Sequence, residues 1–161
     1  MTPVRREITV EATPERAFEI FTQRFDSWWP RTHSIGTAEL EEAVIEPQAG
    51  GRWYERGVDG SECVWGEVLA WDPPHRLVLS WRIGGDWKLA TGQESASEIE
   101  VCFTPAGAAT HVALEHRHFD RHGATADALR EAVAREGGWS GLLELYRGAV
   151  GSNSSAAELM Q

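Results

Sequence analysis

Four of the six histidines could do chemistry by type and spacing. His116 and His118 are two residues apart in Val-Ala-Leu-Glu-His-Arg-His, His122 follows closely, and His33 lies far upstream. In an extended strand, positions 116 and 118 share one face with Val112 and Leu114. Two imidazoles on one face are half of a metal site, which Glu67 or His33 would complete. The plainer reading is a polar strand end, His-Arg-His-Phe-Asp-Arg-His, and it carries more weight. No metal and no other cofactor is expected. His116 is retained as a handle that orients a polar group of a ligand.

Glu136 is the second candidate. It falls on an apolar helical stripe between Ala132 and Trp139, where a buried carboxylate would hold its proton more tightly and serve as acid or base. The adjacent Gly137-Gly138 offers a kink through which Glu136 would instead turn to solvent. The aromatic set Trp28, Trp29, Trp53, Trp65, Trp81, Trp139 and Tyr146 either lines a pocket for a flat or apolar molecule or fills the core. The pocket is the preferred reading. No Gly-x-Ser-x-Gly elbow, dinucleotide fingerprint, phosphate loop or His-Glu-x-x-His occurs. Cys63 and Cys102 belong to strands two apart in the sheet, about 9 to 10 Å, which is too far for a disulfide. They make no zinc motif either.

The elements that must position these groups are legible from periodicity. Residues 64 to 83 read as two alternating strands joined at Asp72-Pro73-Pro74-His75. Val4 to Ala12 is a half-buried strand in which Arg6 breaks the apolar set. Thr13-Pro14-Glu15 starts a helix, with a hydroxyl cap followed by a proline whose missing N–H is harmless there. A short helix over Phe25 to Trp29 ends at Pro30, and Arg31 to Thr37 is a loop holding His33. Strands follow at about 40–46, 51–57, 62–71, 76–83, 97–104 and 109–119, with Gly84 to Ala96 a mobile flap by composition. From Thr125 to Val150 the period becomes helical, with the kink or split at Gly137-Gly138. Residues 1–150 then form one domain, and 151–161 a disordered tail. The economical architecture is α+β: a curved antiparallel sheet of about seven strands wrapped around a long C-terminal helix, with two short helices after strand one.

Four segments in this order resemble a known superfamily. They are Phe25-Asp-Ser-Trp-Trp-Pro-Arg-Thr-His33, Gly50-Gly-Arg-Trp53, Gly66-Glu-Val-Leu-Ala-Trp-Asp-Pro-Pro-His-Arg-Leu-Val-Leu-Ser-Trp81 and Thr104-Pro-Ala-Gly-Ala-Ala-Thr-His-Val-Ala-Leu-Glu-His116. Gly138-Trp139 and its following leucines match the last helix. Over about residues 4 to 150 the chain resembles the START-like, helix-grip (SRPBCC) superfamily, in its branch named for activators of the heat-shock protein 90 ATPase. The resemblance implies a hydrophobic pocket between sheet and long helix, used for binding or for chemistry. The eukaryotic activators carry an additional N-terminal region for which 161 residues leave no room, so a chaperone partner is the weaker expectation.

Composition narrows the partners. The net charge is −10, there is a single lysine, Lys88, and no basic stripe exists, which disfavours nucleic acid and anionic membranes. No apolar run has the roughly 18 residues of a membrane span, and no signal peptide is evident, so a cytoplasmic location is expected. The expected ligand is a small apolar or aromatic molecule, lined by Trp28, Trp53, Trp65, Trp81, Trp139, Leu143 and Tyr146, with His116 and Glu136 as polar handles. The 84–96 flap and the Trp28 to His33 loop would gate access. An enzyme on the same fold (a cyclase, dehydratase or hydrolase of a hydrophobic substrate) is the alternative, and a homodimer through sheet edges or helix faces is compatible with the pattern.

Overall fold

The computed structural model describes residues 1–89 and 95–159. Seven antiparallel strands form one sheet: β1 (Val4–Val10), β2 (Leu40–Ile45), β3 (Arg52–Gly57), β4 (Glu62–Asp72), β5 (Arg76–Trp81), β6 (Ser97–Ala106) and β7 (Ala109–Arg117). Their order is β1-β7-β6-β5-β4-β3-β2, a meander whose last strand pairs with the first. Helix α1 (Pro14–Thr22) and a 3-10 turn (Phe25–Ser27) follow β1. The chain closes with α2 (Ala126–Ala134), a π turn (Glu136–Ser140) and α3 (Gly141–Leu159). This is the helix-grip α+β fold, with the helices laid across the concave face of the sheet.

Local chemistry explains the boundaries. The Thr13 hydroxyl accepts from the Arg16 amide at 3.2 Å and Pro14 occupies the first turn, as the sequence predicts. The C-terminal helix splits at its glycine pair: Gly138 has ψ of −133°, and a Cβ there would meet the Val133 carbonyl oxygen at 2.2 Å. Arg6, the residue that interrupts the apolar pattern of β1, reaches this break. Its guanidinium donates to the Ala134 carbonyl and the Ser140 hydroxyl, both at 2.9 Å. It thereby satisfies a carbonyl that the end of α2 would otherwise leave bare. α3 is described through Leu159, and Met160 and Gln161 lie outside the described residues.

The space between sheet and helices is filled. Val10, Leu77, Val101, Val112, Leu129 and Val150 are fully buried, and Trp53, Trp65, Phe21, Phe103 and Tyr146 are among the largest buried side chains. Rings meet edge to face or tilted: Trp53 lies 5.4 Å edge-on from Trp65 and 5.4 Å at a tilt from Trp81, and Phe21 lies 5.1 Å edge-on from Tyr146. Register shifts between Trp53 and Tyr54 and between Val68 and Ala70 change which residues face inward, so strict alternation misassigns parts of β3 and β4. Gly66, beside the first shift, has no room for a side chain, because a Cβ would sit 1.9 Å from the Ser80 carbonyl oxygen. Among the described residues no helix is long and apolar enough to cross a membrane.

Candidate functional site

An aromatic cleft opens at the edge of this core. Its volume is about 330 Å³. One wall is the loop after the 3-10 turn, with Trp29, Thr32, His33, Ser34 and Ile35. The facing wall is Trp65 on β4 with Trp81 at the end of β5 and Ile83 just beyond it, and Trp87 stands at the rim. The lining is mostly indole and aliphatic, and its hydroxyl and imidazole side chains are those of Thr32, His33 and Ser34.

Each wall is fixed by bonds that can be traced. The Trp29 indole donates to the His33 carbonyl at 2.9 Å and its ring stacks on Phe25 at 4.8 Å. Behind the loop lies Glu55, 1% exposed. Its Oε1 accepts from the Ile35 amide (2.7 Å), the Gly36 amide (3.2 Å) and the Trp65 indole (2.9 Å), and its Oε2 accepts from the Ser34 hydroxyl. One carboxylate therefore ties both walls to β3. The Trp81 indole donates to the Ile83 carbonyl at 2.6 Å.

Trp87 is held in a different way. The turn 84–88 is closed by Gly84 N–H to the Lys88 carbonyl and Trp87 N–H to the Gly84 carbonyl, both at 2.9 Å, and Ile83 bridges Leu89. Gly85 is pressed onto the start of α2, where a Cβ would meet the Thr125 carbonyl oxygen at 2.5 Å. Trp87 itself takes φ of 60° and is 55% exposed. A bulky side chain in left-handed backbone costs energy that solvent exposure of an indole does not return. The described part of the expected flap is thus a seated turn, and residues 90–94 lie outside the described residues.

His33 is exposed at the mouth, and the partial desolvation its ring meets there lowers its imidazole below the usual range, so it is neutral at pH 7. Its Nδ1 lies 3.3 Å from the Thr32 hydroxyl.

A second polar group sits behind the Trp81 wall. His116 is fully buried, 5.5 Å from the Trp81 ring and 4.4 Å from Phe119. Its Nδ1 accepts from the Trp139 indole at 3.0 Å, which places the imidazole proton on Nε2, 2.8 Å from the Ser97 hydroxyl. Ser97 Oγ in turn lies 2.9 Å from Nε2 of the half-exposed His122. Burial, reinforced by neighbouring His122, pushes the His116 imidazole well below its ordinary range.

The predicted site residues are therefore divided. Trp65 and Trp81 line the cleft. Trp28, Trp53, Trp139, Leu143 and Tyr146 are core: the Trp28 indole donates to the Ile20 carbonyl at 3.3 Å, and the Tyr146 hydroxyl ties α3 to α1 through the Ala17 carbonyl at 2.7 Å. His116 supports the Trp81 wall from behind. Glu136 is exposed at the helix break, the outcome its glycine neighbours allow. His116 and His118 do not share a face, because β7 ends at Arg117 and His118 turns into left-handed backbone at φ 64°. Among the described residues no three His, Cys, Asp or Glu side chains converge as metal ligands would. Cys63 and Cys102 are free, half-buried thiols that burial keeps protonated.

Sequence reasoning missed Trp87, Ser34 and Glu55. An aromatic inside Gly-Gly-Asp-Trp-Lys was a usable signal for the first. Glu55 gave none, since the register shift beside Tyr54 decides that it points inward.

Comparison with known proteins follows this geometry. The Activator of Hsp90 ATPase homolog 1-like protein family matches residues 11–145. Among solved structures, an anthrahydroquino-γ-pyrone synthase, Txn09, is 40% identical, with a TM-score of 0.65 over 92% of this chain and 97% of the other. CalC, a self-sacrificing resistance protein from Micromonospora echinospora, is 31% identical, with a TM-score of 0.69 over 94% and 95%. An AHSA1-like protein from Aeromonas hydrophila, 14% identical with a TM-score of 0.59 over 95% and 94%, shows the shared fold alone. No curated protein matches significantly.

Proposed function

From the premise that the chain belongs to the Activator of Hsp90 ATPase homolog 1-like family, we propose that it binds a small, flat, largely apolar molecule of the fused-ring aromatic class. The observation that carries this reading is the cleft: Trp29, Trp65, Trp81 and Trp87 around about 330 Å³, with Thr32, His33 and Ser34 on the loop wall. Indoles present broad apolar faces at low entropic cost, and covering a ligand face yields about 25 cal/mol per Å² of apolar surface. A relative at 40% identity is a synthase of an anthrahydroquino-γ-pyrone, which supports a fused-ring ligand over a flexible acyl chain. The test is a titration with anthraquinone followed by indole fluorescence and equilibrium dialysis. Saturable quenching with retention of the probe is expected; no retention in dialysis would end the reading.

A second reading, an enzyme on the same cleft, rests on His33. A neutral imidazole at the mouth can take up or return a proton as a bound ring cyclises or dehydrates. Mass spectrometry of a hydroxylated anthraquinone polyketide incubated with the protein would register turnover. A His33→Asn variant should bind normally and turn over at least tenfold more slowly; equal turnover removes His33 from the chemistry.

A further inference from the structure

We propose that Ser34 and Glu55 form a hydroxyl-selective subsite in the cleft, which accepts a hydrogen bond from a neutral phenol or enol O–H on the bound molecule. The proposal rests on the cleft being the ligand site and names a feature that the ligand must carry.

The argument is an accounting of protons. Glu55 is buried, and its four partners are all neutral donors. Three are N–H groups, from Ile35, Gly36 and the Trp65 indole, and these converge on Oε1. An N–H only donates, so Oε1 is occupied as an acceptor. Oε2 receives the Ser34 hydroxyl. A serine hydroxyl has one proton, and here it is committed to the carboxylate. What Ser34 still offers to the cleft it lines is lone pairs.

An acceptor backed by a buried carboxylate discriminates among oxygen groups. A ligand hydroxyl completes the chain O–H to Ser34 to Glu55, in which each bond polarises the next. A quinone or ether oxygen placed there would face lone pairs and forfeit the water it left behind. An ionised phenolate would face the carboxylate charge at short range. The subsite therefore favours the reduced or enolic form of a fused-ring ligand, with its hydroxyl un-ionised. A carboxylate serving only to anchor the 34–36 loop would impose no such preference.

The experiment compares 2-hydroxyanthraquinone with anthraquinone at mildly acidic pH, where the hydroxyl keeps its proton, by fluorescence titration of the intact protein. The wild type should bind the hydroxylated probe roughly tenfold more tightly. Ser34→Ala should bring the two affinities together, and Ser34→Thr should preserve the preference. Glu55→Gln directs an amide N–H at Ser34 Oγ and frees the serine proton, so the preference should fall there as well, with circular dichroism confirming the fold. No hydroxyl preference in the wild type, or a preference surviving Ser34→Ala, overturns the subsite and leaves the cleft standing. Failure of both probes to bind overturns the cleft and the subsite together.

Discussion

The Trp139 indole N–H donates to Nδ1 of His116 at 3.0 Å, so a helix residue sets which nitrogen of a strand histidine holds the proton. The bond joins the C-terminal helix break to the sheet directly behind the Trp81 wall. It also leaves a buried imidazole with no room for a second proton, since Nδ1 has no acceptor to donate to.

That arrangement makes stability pH-dependent. In the unfolded chain His116 titrates near the ordinary histidine value of about 6.5, whereas burial holds it well below that in the fold. Below about pH 6.5 the unfolded state binds a proton that the native state refuses, so stability falls as pH drops and is fully present above pH 6.5. The share of one such group is at most about 1.4 kcal/mol per pH unit. His33 and His122 are also lowered by burial and add to the slope. Urea melts at pH 7.5, 6.5 and 5.5 should show the decline, and His116→Gln should show less of it. Equal slopes would mean that the titration lies elsewhere.

Two neighbouring indoles should respond unequally to the same substitution. The Trp53 Nε1 is buried with no hydrogen-bond partner among the described residues, whereas the Trp65 Nε1 donates to Glu55 at 2.9 Å. Trp53→Phe removes an unsatisfied donor along with some packing, and should cost less than about 1.5 kcal/mol. Trp65→Phe strips a donor from a buried carboxylate and should cost about 2 to 4 kcal/mol. Chemical denaturation of both variants decides it; a larger loss for Trp53→Phe would contradict the hydrogen-bond assignment.

Gly66→Ala should be among the most damaging small substitutions in the chain. The added methyl would lie 1.9 Å from a backbone oxygen of β5, which cannot move without breaking the β4–β5 pairing. A loss of more than about 3 kcal/mol, or failure to fold, is expected, and a melting temperature near wild type would refute it.

Trp87→Ala should separate binding from stability. The side chain is exposed, so its removal should change stability by less than about 0.5 kcal/mol, while a stacked aromatic ligand loses one wall of its site and several-fold in affinity. Unchanged anthraquinone affinity would show that the ligand sits deeper than the rim.

Glu136→Gln serves as the control. The residue is exposed at the helix break, away from the cleft, and its substitution should leave both binding and turnover as they were. Any loss of either would move the site toward the C-terminal helices.

The strands, the Thr13-Pro14 helix start and the break at Gly137-Gly138 were legible because each rests on local chemistry: alternation, a cap, a residue without a side chain. The family was legible from ordered motifs. The site was legible only by residue type. Tryptophans in a strand advertise apolar area but not which face they take, and the β3 and β4 register shifts reassign that face. Glu55 thus turned inward against its polarity, while Trp53 on β3 and Tyr146 on α3 pack into the core. Trp87 was hidden for another reason: what makes it notable is a backbone angle and a docked turn, neither of which composition reports.

Six of the eight tryptophans form an unbroken series of ring contacts, from Trp28 and Trp29 through Trp65, Trp53 and Trp81 to Trp139, with centroids 5.3 to 5.9 Å apart along the way. At such spacings excitation migrates between indoles faster than it is emitted. The protein therefore behaves as one coupled antenna, and one quencher seated between Trp29 and Trp81 would darken interior rings that it never touches.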